Sequence, residues 1–127
     1  MIFFDIKGMH STLSHSLLSE VFFWSITELM PRKKNLDITL HIIQIHSLDR
    51  VTGYHWKTDR YTHEIEIERV QTEEDFLTAF FHELVHVRQT ERGITSDTSL
   101  SYYDRPTEIE AYHLQEELYK KWKYLQS

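Results

Sequence analysis

The segment from Glu73 to Arg92, EEDFLTAFFHELVHVRQTER, leaves this chain few ways to fold. Thr72 before it offers an N-cap, with Asp75 at the third helical position as a variant of the capping box. Gly93 supplies a natural stop. Between these limits Phe76, Phe80, Leu84 and Val87 form one apolar stripe at helical spacing, and Phe81 and Val85 add a second flank. A helix apolar over so much of its circumference must be enclosed by other elements. Yet it carries His82, Glu83 and His86 in the order H-E-x-x-H. Unpaired polar groups in a core cost roughly 1–3 kcal/mol each. The trio therefore needs a partner.

A metal ion is the partner that satisfies all three. Residues four apart lie on one helical face, about a turn from each other, so both imidazoles can reach one ion. The chain has no cysteine, which restricts a site to His and carboxylates and makes Zn2+ the expected ion. A chain of this composition carries HExxH by chance about one time in sixteen, so the context must decide. Catalytic zinc takes three protein ligands and keeps a position for water. The extended pattern HExxHxxGxxH is not met, because Gln89 stands at the glycine and Arg92 at the third histidine. Candidates pass to the last helix, RPTEIEAYHLQEEL, as Glu108, Glu110 and His113. Its apolar stripe is Ala111, Leu114, Leu118, Trp122 and Leu125. Glu108 flanks that stripe beside Tyr112 and Tyr119, whereas Glu110 flanks it beside Glu117 and Lys121. The former side is the more apolar, so Glu108 is the expected third ligand. A plainer reading competes: first-turn glutamates favour the helix dipole, and Glu110 could close a capping box with Thr107.

The rest of the chain supplies the scaffold. From about Thr12 to Met30, Leu13, Leu17, Val21 and Trp24, with Phe22 and Leu29, recur at helical spacing up to Pro31. His10 and His15 near its start read as structural. A buried strand is expected from Asp37 to Ser47, and a short one around Tyr54–Trp56. THEIEIERV alternates, with His63, Ile65 and Ile67 facing one way and Glu64, Glu66 and Glu68 the other. Charges on the open face suggest an edge strand. Gly93 is followed by a loop, and Pro106 suits the first turn of a final helix reaching about Tyr124. The expectation is a single α+β domain over residues 1–127, with an N-terminal helix, a small mixed sheet of about three strands and two C-terminal helices.

HELVH followed by Glu108 and Ala111 in Glu-x-x-Ala form resembles the gluzincin class of zinc metallopeptidases in minimal, single-domain form. Size and element order are also similar to SprT-type zinc domains, which use a third histidine. Many gluzincins have Asp or Asn four residues after the ligand, where this chain has Tyr112. The resemblance implies a zincin-like fold, peptide-bond hydrolysis, and an extended peptide lying along the edge strand, here HEIEIE of His63–Glu68. Glu83, beside His82, would act as general base on the attacking water. The oxyanion needs a further donor. Tyr112 and His113 lead the candidates, which include Tyr102, Tyr103, Arg105 and Tyr119.

The net charge of −6 weighs against a nucleic-acid backbone as ligand, and Arg32-Lys33-Lys34 reads as a solvated turn. MIFFDIKGMH has no basic leader, and LLSEVFFWSITELM is interrupted by Glu20, Ser25 and Glu28, so neither a signal peptide nor a membrane span is expected. The default location is cytoplasmic. The alternative to a peptidase is a binding or structural domain of the same fold, and an intact Glu83 argues for catalysis.

Overall fold

The computed structural model describes residues 1–44, 53–69 and 71–127. Its elements are β1 (Ile2–Lys7), α1 (His15–Leu29), β2 (Leu36–Ile43), β3 (Gly53–Asp59), β4 (Thr62–Glu68), α2 (Glu73–Glu91), a 3-10 turn (Tyr102–Asp104) and α3 (Pro106–Gln126). The expected strand at residues 37–47 is β2; positions 45–47 lie outside the described residues.

Among the described residues the sheet has four strands, one more than expected, because the N-terminal segment IFFDIK forms β1. Its order is β1-β2-β4-β3. β1 and β2 are parallel, as are β2 and β4, while β3 pairs antiparallel with β4. The edges are therefore β1 and β3, and β4 lies inside. This overturns the edge position expected for His63–Glu68. The physical cause is that Glu64, Glu66 and Glu68 lie on the sheet face opposite the core, where they are only half-buried and need no edge position to reach water.

The other face holds the core. Leu36, Ile38, Leu40 and Ile42 of β2 share it with His63, Ile65 and Ile67 of β4, and all are buried. α1 and α2 cover this face. Phe4 of β1 stacks on Phe22 of α1 with ring centroids 4.1 Å apart, and Phe80 of α2 lies 5.9 Å from Phe4. The buried stripe of α1 is Leu18, Val21, Phe22, Ser25, Ile26 and Leu29, while Leu17 and Trp24 are only partly covered at its margin. Trp24 reaches outward to Trp122 of α3, with centroids 5.5 Å apart. α3 thus forms a further layer packed on α2 through Ala111, Leu118 and Trp122. α2 is enclosed between sheet and α3, as its sequence requires.

Local signals hold at the helix ends. Thr72 Oγ1 accepts from the Asp75 amide at 3.2 Å, and Gly93 adopts φ +73° just beyond α2. Pro106 occupies the first turn of α3. His10 caps a turn: its Nδ1 accepts from the Thr12 and Leu13 amides at 3.2 and 3.1 Å. Among the described residues no helix is long and apolar enough to cross a membrane.

Candidate metal centre

α2 and α3 together build the centre. His82 and His86 project from one face of α2, and Glu108 comes from the first turn of α3. His82 Nε2 lies 2.9 Å from Glu108 Oε1, His86 Nε2 lies 3.1 Å from the same oxygen, and the two nitrogens are 3.1 Å apart. Glu110 takes no part in this cluster. Its side chain faces outward and accepts from Gln89 Nε2 at 3.0 Å, so the capping box with Thr107 does not form.

The outer contacts fix which ring nitrogens are available. Gln89 Nε2 donates to the Thr107 carbonyl and the Glu110 carboxylate, which turns Gln89 Oε1 toward His86. That oxygen lies 2.7 Å from His86 Nδ1 and accepts its N–H. Gln115 Oε1 lies 2.8 Å from His82 Nδ1 and does the same for the other ring. Each imidazole thus commits its Nδ1 proton outward and aims Nε2 at Glu108. Two imidazole lone pairs and a carboxylate at about 3 Å repel one another unless a positive charge lies between them. A proton or a metal cation can fill that role. His86 reflects the demand: burial lowers its pKa, but hydrogen bonding to Glu108 and the nearby carboxylates outweigh this and raise it. The same pairing holds Glu108 well below the usual carboxylate range despite its burial. Two histidines and one carboxylate, half-enclosed and oriented by outer amides, form a donor set compatible with zinc.

Gln89 and Gln115 take the orienting role that an Asp or Asn four residues after the third ligand would have had. Tyr112, at that position, instead packs its ring on His82 with centroids 4.5 Å apart. Replacing Gln89 by Leu should leave the helix intact and weaken zinc binding roughly 10- to 100-fold, as loss of an outer partner typically does. Competition with a chromogenic chelator measures it; unchanged affinity would mean that the amide does not orient His86.

Glu83 is buried, and desolvation pushes its carboxyl up to about 7 against the pull of His82 and His86. Its neighbour across the cleft is Gly53 at the start of β3. A Cβ there would sit 3.1 Å from Glu83 Oε2, so glycine lets the edge strand pass close without pressing on the carboxylate. Two clefts meet at this point, of about 390 Å3 and 720 Å3, and Gly53, Glu83 and Tyr102 line both. His86 and Glu108 line the first and His82 the second.

Of the sequence candidates for a further donor, Tyr112 and Tyr103 line the second cleft and Arg105 the first. Tyr102 stands at the junction with its hydroxyl 3.5 Å from that of Tyr112. Burial pushes the Tyr102 phenol well above its ordinary value, so it stays a donor at neutral pH. His113 is exposed, pairs with Glu117 at 3.2 Å and lines neither cleft. Tyr119 packs at the core margin.

The histidine-glutamate motif with Glu108 downstream on the C-terminal helix is consistent with a gluzincin-type zinc site in a zincin-like arrangement. No family model, no curated protein and no solved structure matches the chain.

Proposed function

We propose that the chain hydrolyses peptide bonds with zinc held by His82, His86 and Glu108. One observation carries this reading. The metal-shaped donor set sits beside a buried, unligated carboxyl, Glu83, where two clefts join. A purely structural zinc site is closed and has no use for a base at its side. Zinc, when bound, supplies Lewis acidity toward a carbonyl and acidifies water.

The chain's own groups do the rest. Glu83 takes the proton of the attacking water and passes it to the leaving amine. Burial strips the Glu83 carboxyl of solvent, which favours its taking up that proton. Tyr102 and Tyr112 donate O–H to the developing oxyanion. A peptide pairs with the outer edge of β3, Gly53–Asp59, which has no strand partner among the described residues, rather than with β4, whose two sides are already paired.

The test is a mixed peptide library incubated with zinc-loaded protein. Cleavage should stop on chelation and return with added zinc. Cleavage indifferent to chelation, or none at all, would contradict the proposal.

A further inference from the structure

Behind the edge strand runs a polar chain that hydrolysis does not use. His55 of β3 lines the smaller cleft together with Glu83 and His86. Its Nε2 lies 2.8 Å from Nδ1 of His63 on β4, a side chain with no exposed surface. His63 Nε2 lies 2.6 Å from Glu91 Oε2 at the end of α2. Glu91 is also held by Lys33 through Oε1, and Lys57 lies 3.3 Å from its Oε2.

The charges set the direction of this chain. One glutamate already faces two lysines, so an imidazolium at His63 would add a second uncompensated positive charge to a dry site. Burial accordingly lowers the pKa of His63, outweighing Glu91, and brings that of His55 down to about 3. With both rings neutral, each proton is assigned in turn. The Glu91 carboxylate can only accept, so His63 carries its proton on Nε2. His63 Nδ1 is then an acceptor, and His55 must donate from Nε2. His55 Nδ1 is left as a bare lone pair, and among the described residues it has no partner.

Arg105, at the N-cap of α3, lines the same cleft. Its Nε donates to the Leu100 carbonyl, and it makes no ion pair among the described residues. To the carboxylates, hydroxyls and Gln89 amide that also line this cleft, His55 adds a neutral acceptor and Arg105 a cationic donor. A carboxamide matches both, with its NH2 given to His55 and its carbonyl accepting from Arg105. A carboxylate of the same shape would satisfy Arg105 but turn lone pairs on His55. A thioether satisfies neither.

We infer that His55 and Arg105 make the His86 side of the cleft select an Asn or Gln side chain of the bound peptide. This rests on the peptidase reading, and it adds a substrate preference to it. Four hydroxamates test it, identical except for a Gln, Glu, Asn or Asp side chain beside the metal-binding group, with a Met analogue and plain acetohydroxamate as references. On the zinc-loaded parent, at least one amide should bind roughly tenfold tighter than its acid and than the Met analogue. In His55→Ala that preference should vanish while acetohydroxamate binds as before. Long-range 1H–15N spectra should show His55 neutral with its proton on Nε2. Acids binding as tightly as amides, or a His55 proton on Nδ1, would overturn the inference and leave the peptidase reading standing. Failure of acetohydroxamate to bind would overturn the zinc reading and this one with it.

Discussion

Glu83→Gln should abolish hydrolysis, by about 10²–10⁴-fold or more, while zinc content and fold stay intact. The amide has nearly the shape of the carboxylate but cannot accept the proton of water at neutral pH. Glu83 is not among the converging donors, so its replacement should leave zinc in place. Initial rates on the peptide library, with zinc content measured on the same samples, check both halves. Activity at the parental rate would remove Glu83 from the chemistry. A second readout comes from stability. Burial pushes the folded carboxyl from its ordinary 4.5 up to about 7, so the folded zinc-free protein binds more protons across that window. Its stability contribution is present below the window and is lost as pH rises through it. Glu83→Gln should remove part of that slope, leaving the part due to His86, whose pKa is also raised.

Loss of zinc should lower the melting temperature by on the order of 10 °C or more, because the ion ties α2 to α3 and binds only the folded chain. Glu108→Gln should show the same drop without a chelator, since a neutral amide ligates poorly and no longer balances the two imidazoles. Glu110→Gln should keep its zinc and melt within a few degrees of the parent, because among the described residues its carboxylate meets Gln89 and Arg88 and not the converging donors. Calorimetry with and without chelator distinguishes the two. The reverse pattern would place the wrong face of α3 toward the centre.

These expectations lean on features of very different legibility. The α2 helix and its three functional residues could be read directly, since cap, stop and ligand spacing are all local. Glu108 could be separated from Glu110 because the apolar stripe of α3 fixes the helix rotation, and the burial of one and exposure of the other follow it. β1 was also visible in principle. Ile2, Phe4 and Ile6 alternate with Phe3, Asp5 and Lys7, but read only as a possible leader the segment gave no strand.

Strand order is a different matter. The alternation in β4 reports that the two sheet faces differ in polarity, and it is the same whether the strand has one neighbour or two. Only long-range pairing put β3 outside β4 in the sheet, and with it took the edge position away from His63–Glu68. The outer ring of the site was equally hidden. Gln89 registered only as a missing glycine, and Gln115 not at all. Their roles come from α3 lying across α2, which nothing local encodes. The His55–His63–Glu91 chain joins two strands to the end of a helix, and Lys33, read as part of a solvated turn, completes it. Buried polar chains of this kind carry no spacing signal.

The most direct measurement is elemental analysis of purified parent protein beside His82→Ala. About one zinc per chain is expected in the parent and none in the variant, because His82 supplies one of the three converging donors. A full complement of zinc in His82→Ala would contradict the site, and the chemistry built on it would fall with it.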